Sequence, residues 1–123
     1  MRQPDIEIYI KDADRQQVRQ WLEQRLGSGS PWQERGPLSR CQVQEIPVIW
    51  LAGAVGKWNS LLLDSDQTPW ADDLGCAQDA FATLQVEIRC SPGSWQEDEK
   101  EEDADRWISV SAQGVREILW RAG

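Results

Sequence analysis

Ile46-Pro47-Val48-Ile49-Trp50-Leu51-Ala52-Gly53-Ala54-Val55-Gly56-Lys57-Trp58-Asn59-Ser60-Leu61-Leu62-Leu63 is the stretch whose reading decides the fold. It runs apolar, breaks at two glycines, and runs apolar again. Ile46, Val48 and Trp50 alternate with their neighbours, which is the period of a strand half-buried against a core. Gly53 to Gly56 between two strand-like runs predicts a hairpin turn, with a return strand over 57–63. Pro47 inside the first run predicts a bulge or an edge position, because proline donates no ladder hydrogen bond. The chain then continues Asp64-Ser65-Asp66-Gln67-Thr68-Pro69 into a helix. Thr68 is expected at its N-cap and Pro69 at its first position. Trp70, Leu74, Ala77, Phe81 and Leu84 recur at steps of three and four, the spacing of one helical face.

Working outward, Ile6, Ile8 and Ile10 alternate with Glu7, Tyr9 and Lys11 as a first strand. Val18, Trp21, Leu22 and Leu26 mark a helix after it, capped by Asp14 with Gln17 three residues on and closed by Gly27. Residues 28–39, punctuated by Gly29, Pro31, Gly36 and Pro37, read as a loop. Cys41 and Val43 begin the next strand, Val86 to Cys90 forms another, and the acidic stretch 92–105 reads as a second loop. Trp107 to Ser111 is a further strand. Val115, Ile118 and Leu119 then predict a short final helix, the alternative being a hairpin that turns at Ala112-Gln113-Gly114.

The 123 residues predict one domain over 1–123. The order β-α-β-β-α-β, followed by β-α, predicts an α+β fold. The expected architecture is an antiparallel sheet with helices on one face, a ferredoxin-like βαββαβ core, and a C-terminal strand and short helix.

Charge is uneven. Residues 1–63 carry eight basic and seven acidic side chains, and residues 64–105 carry two against thirteen. The net of −8 thus comes from one third of the chain, which disfavours direct nucleic-acid binding and points to a basic protein partner. No apolar run approaches the roughly 20 residues that span a bilayer, and the first residues lack a signal-peptide core. We therefore expect a cytoplasmic protein that does not enter a membrane. Cys41, Cys76 and Cys90 form no CxxC pair and read as buried thiols. There is no histidine, which removes Ser-His-Asp and Cys-His chemistry.

Leu61-Leu62-Leu63-Asp64-Ser65-Asp66-Gln67-Thr68 resembles the first motif of the haloacid-dehalogenase-like phosphatases, an apolar strand ending in Asp-x-Asp-x-Thr. The resemblance implies a nucleophile at Asp64, a general acid/base at Asp66, and Mg²⁺ bridging the site. It covers these eight residues. The distal lysine and acid pair that the family also needs have only Lys100 and the acids of 101–105 as candidates. One turn made by the two aspartates and one cap made by Thr68 account for the same residues. A divalent cation held by Asp64, Asp66 and Asp72 or Asp73 is the intermediate reading.

Eight tryptophans against one phenylalanine is the oddity of composition. Each buried indole N–H needs a partner, so several are expected at the rim of a groove or interface. Trp50, Trp58, Trp70 and Trp95 are the candidate binding residues. Trp50, Trp58 and Trp70 could line a groove for a flat or cationic ligand. The leading expectation is a small bacterial-type accessory, regulatory or antidote protein acting by protein–protein contact, with a homodimer as one form of it. A metal-dependent hydrolase using Asp64 and Asp66, or small-ligand binding in a tryptophan-lined groove, are the alternatives.

Overall fold

The structure, a computed structural model, describes residues 6–65, 68–90 and 106–120. Eight strands and two helices make up the described residues. They run β1 (Ile6–Lys11), α1 (Arg15–Leu26), β2 (Gln33–Arg35), β3 (Leu38–Val43), β4 (Ile46–Val55), β5 (Trp58–Leu63), α2 (Asp73–Leu84), β6 (Ile88–Cys90), β7 (Arg106–Ser111) and β8 (Gly114–Leu119).

All eight strands join one sheet in the order β2-β3-β4-β5-β1-β6-β7-β8. Every pairing is antiparallel. The sheet of eight strands corrects the ferredoxin-like expectation, whose βαββαβ core has two strands between its helices; here four separate them. The first strand does lie in the middle of the sheet, between β5 and β6.

Two stretches account for the difference. Within 28–39, read as a loop, Gln33–Arg35 and Leu38–Val43 form a hairpin. Upstream of it, Gly29 bridges Val43, Ser30 N donates to Gln42 O, Gln42 N donates to the Ser30 hydroxyl, and Gln44 N donates to Ser28 O. The chain from 28 to 35 thus follows β3 with its strand residues Gln33–Arg35 all exposed, which leaves no apolar alternation to read. The final segment is the strand β8 and not a helix. Gly114 at φ +105° follows Ala112-Gln113 and turns the chain back on β7. Six of β8's residues are paired, yet only Ile118 is even half-buried, so Val115, Ile118 and Leu119 mimic helical spacing without burying a helical face.

Three of the four hairpin turns among the described residues follow one pattern. Gly36-Pro37, Gln44-Glu45 and Gly56-Lys57 each place positive φ on the first central residue (59°, 55° and 58°). Positive φ there and not on the second is the pattern of type II′ turns, whose twist matches that of the strands. The β4–β5 turn is therefore Gly56-Lys57, while Gly53 lies at the irregularity between Leu51 and Val55. Asn59 braces that irregularity, accepting from Gly53 N at 3.0 Å and donating to Ile10 O at 3.1 Å.

α1 begins as its sequence demands. Asp14 accepts from Gln16 N at 2.9 Å, and the Gly27 N–H closes on Glu23 O at 3.0 Å. α2 begins four residues later than Thr68 would place it. Asp72 is its N-cap, accepting from Gly75 N at 2.8 Å, and the Thr68 hydroxyl donates to Trp70 O. Both helices cover one face of the sheet. Val18, Trp21 and Leu22 of α1 and Cys76, Ala77 and Ala80 of α2 pack with Ile6, Ile8, Ile10, Val48, Leu61 and Leu63 in one core. The small side chains of α2 permit a close approach to β1 and β6. Among the described residues, no helix is long and apolar enough to cross a membrane.

Candidate functional site

Side chains alternate across a sheet, and among the described residues both helices pack on one face, leaving the other uncovered. Register traces one row on that face from edge to edge: Arg35, Leu38, Leu51, Ser60, Tyr9, Arg89, Ser109, Arg116. The parallel row is Gln33, Arg40, Ile49, Leu62, Glu7. The two halves of this face differ in chemistry.

Over β5, β1, β6, β7 and β8 lies an aromatic cluster. Trp120 follows β8, and its ring lies 5.1 Å from Trp107, 5.3 Å from Tyr9 and 5.2 Å from Trp58, centroid to centroid. Tyr9 meets Trp107 edge-on at 5.5 Å. The Trp58 and Trp120 indoles thus reach toward one another over three intervening strands. Between them sits Arg89, its guanidinium carbon 4.2 Å from the Trp58 centroid and 4.7 Å from that of Trp120. The positive group lies on the negative ring faces, the favourable arrangement for a cation.

Glu87 anchors this arginine. It accepts from Arg89 Nε at 3.2 Å and from the buried Ser109 hydroxyl at 2.6 Å. Burial alone would raise the Glu87 pKa. The bonds from Ser109 and Arg89 and the charges of Arg89 and Lys11 outweigh it and hold the carboxyl below its ordinary value. The Tyr9 phenol is pushed up, first by burial and then by Glu7. Glu7 in turn accepts from the Ser60 hydroxyl at 3.1 Å. The cluster forms a second small core, at whose base Glu87 is bonded to Arg89 and Ser109 and Glu7 to Ser60.

The other half, over β2 to β5, is open. Leu38, Leu51, Ile49 and Leu62 are half-buried at its centre, and Arg35 and Arg40 are exposed at its outer side. A cavity of about 540 Å³ opens there, lined by Gln33, Glu34, Arg35, Leu38 and Arg40. Glu34 is already engaged by Arg15, which also donates to the Ser39 hydroxyl.

The residues singled out from sequence are dispersed. Trp50 pairs across to Leu61 on the helix-covered face and is 3% exposed, whereas Trp58 lies on the uncovered face. Trp70 belongs to the helix layer, 5.5 Å from Trp21. Both indoles donate to Asp79, at 2.9 and 3.3 Å, and Arg25 Nε donates to it as well. Burial would raise the Asp79 pKa, but these bonds and the Arg25 charge bring it below its ordinary value. Trp50, Trp58 and Trp70 therefore do not line one groove, and Trp95 lies outside the described residues.

Asp64 is exposed just past β5, its backbone N–H bonded to Pro47 O at 3.0 Å. Asp66 lies outside the described residues. Asp72 is occupied as the α2 cap, and Asp73 accepts from Glu7 N at 3.4 Å. Among the described residues, no group of three Cys, Asp or Glu side chains could hold a metal ion. The three cysteines are free and buried.

Tyr9, Arg89, Trp107 and Trp120 are the site residues that sequence reasoning passed over. Their signal was the outward half of each alternating strand, Tyr9 between isoleucines and Arg89 between Ile88 and Cys90. The chain matches no protein-family model, no curated protein and no solved structure.

Proposed function

We propose that this chain is a small accessory, regulatory or antidote-type protein that works by binding another protein through the uncovered face of its sheet. One observation carries the reading. Leu38, Ile49, Leu51 and Leu62 form a half-buried apolar strip on the face that carries no helix among the described residues, bordered by exposed polar and charged side chains. An apolar centre with a polar rim is the anatomy of a protein interface. The neighbouring tryptophan cluster supports it, since aromatic side chains and arginine are enriched in such surfaces. Its location is read as the cytoplasm, where three buried free thiols stay reduced.

The acidic run 97–105, outside the described residues, is what suggests a basic partner. The described residues themselves hold ten basic and twelve acidic side chains and are close to neutral. A second copy of the chain is the other occupant such a face admits.

The test is partner capture and sedimentation with wild type, Ile49→Asp and Gln20→Asp. Ile49 lies on the strip, and Gln20 is an exposed residue of α1. Loss of the partner, or of a dimer, in Ile49→Asp alone supports the reading, provided its melting curve stays cooperative. Equal capture by all three proteins overturns it.

A further inference from the structure

The chain is acidic, but its uncovered face is not. Among the residues that register and side-chain alternation place there, Lys11, Arg35, Arg40, Arg89 and Arg116 stand against Glu7 and against Glu87, which just precedes β6. Asp64 follows just past the end of β5. Both carboxylates are engaged, Glu87 by Arg89 and Ser109 and Glu7 by Ser60. Arg89 is spent inside the aromatic cluster. Arg35 and Arg40 are different: among the described residues neither makes an ion pair, and both are exposed.

These two arginines line the cavity of about 540 Å³ at the β2–β3 hairpin. Cross-strand register puts Arg40 beside Ile49 and Leu62, and Arg35 beside Leu38 and Leu51. Each row thus reads from a cation at the outer strands to apolar side chains at the centre. Arginine presents a planar fork of donors that fits a carboxylate in two places at once.

We infer that this end of the uncovered face docks an acidic segment of a partner protein, its carboxylates on Arg35 and Arg40 and an adjoining apolar side chain on Ile49, Leu51 and Leu62. This rests on the interaction reading above and specifies its partner chemistry. Single-stranded nucleic acid fits less well. Base stacking needs free aromatic faces, and here the rings pack on one another and on Arg89, while the free cations border leucine and isoleucine.

The experiment measures fluorescence anisotropy of three labelled probes with the full chain. They are a peptide alternating Glu with Leu, the same peptide with Lys for Glu, and an oligothymidylate of similar charge. Proteins are wild type, Arg40→Glu, Arg35→Glu, and the double change Gln20→Glu with Gln24→Glu. The last alters net charge as much as Arg40→Glu but acts from exposed positions of α1. Binding of the Glu peptide should weaken about tenfold or more in Arg40→Glu and in Arg35→Glu, and about twofold at most in the α1 control. It should also fall as salt rises from about 50 to about 500 mM.

No binding of the Glu peptide, equal binding of the Lys peptide, tighter binding of oligothymidylate, or equal loss in Arg40→Glu and the control each overturns the inference. Failure here leaves the broader reading standing if a captured partner is lost in Ile49→Asp and kept in Arg40→Glu.

Discussion

The guanidinium of Arg89 lies 4.2 Å from the centre of the Trp58 ring, although β1 separates their strands. The contact ties β6 to β5 over the top of the sheet, and Trp120 closes it from the other side at 4.7 Å. Arg89→Ala removes two ring contacts and one of the two donors to Glu87 together, so it should cost about 1–3 kcal/mol. Arg89→Lys keeps the charge but loses the planar stacking, and should recover only part of that. Urea melts with Trp58→Ala and the double mutant test the coupling. A double mutant as destabilised as the sum of the singles would mean that the two side chains do not interact.

Asp79 is the corresponding hub of the helix layer, taking donors from Trp21, Trp70 and Arg25. Asp79→Ala strands two indole N–H groups at the α1–α2 contact, and should cost about 2–3 kcal/mol. Its lowered pKa also sets a pH dependence, shared with Glu87. A carboxyl whose folded pKa lies below its unfolded value stabilises the fold above the unfolded value. That stability is lost as pH falls through the folded one. Thermal melts should therefore be flat from neutral pH down to about 5 and decline below about 4. Asp79→Asn should flatten the acid limb, and an unchanged limb would remove Asp79 from the linkage.

Much of the sheet was legible because burial imposes alternation. Ile6 to Lys11 and Leu61 to Leu63 each place apolar side chains on the helix-covered face, and the pattern survives in the sequence. Elements held by backbone pairing alone were not legible. Gln33–Arg35 is exposed throughout, and β8 is nearly so. Nothing in the side chains of Gln33–Arg35 records a strand, and β8 is marked only by the turn at Ala112-Gln113-Gly114, the alternative reading of that segment, which is the one the structure has. The uncovered face was illegible for a related reason: the outward positions of a strand look like solvent positions until register aligns them. Tyr9, Arg89 and Ser109 become neighbours only once β1, β6 and β7 are known to be adjacent. The N-cap shifted from Thr68 to Asp72 because Trp70 is drawn into the helix layer by Trp21 and Asp79, a contact between residues far apart in sequence.

Burial drives up the pKa of all three cysteines, to about 11 for Cys41 and about 12 for Cys90, and well above the ordinary value for Cys76. Thiolate is the reactive species, so each thiol is both hidden and protonated at neutral pH. Labelling with a disulfide reagent near pH 8 should be slow for all three, with Cys41, 8% exposed, reacting first. All three should react rapidly once denaturant unfolds the chain. A thiol that labels at the rate of a free cysteine in the native protein would contradict its burial.

Asp72 separates the two readings of the acidic corner. As the α2 cap it accepts from Gly75 N at 2.8 Å, and Asp72→Ala should lower stability by about 1 kcal/mol through the loss of that bond. Asp72→Asn or Asp72→Ser should largely restore it, because a neutral oxygen caps nearly as well. A cation ligand behaves otherwise. Mg²⁺ bound to the folded chain would raise the melting temperature with concentration, and Asn would not replace the carboxylate. The expected result is rescue by Asn and a melting temperature independent of Mg²⁺, read by calorimetry across a titration of the ion. A Mg²⁺-dependent rise that vanishes in both Asp72→Asn and Asp64→Asn would assign the corner to a metal instead.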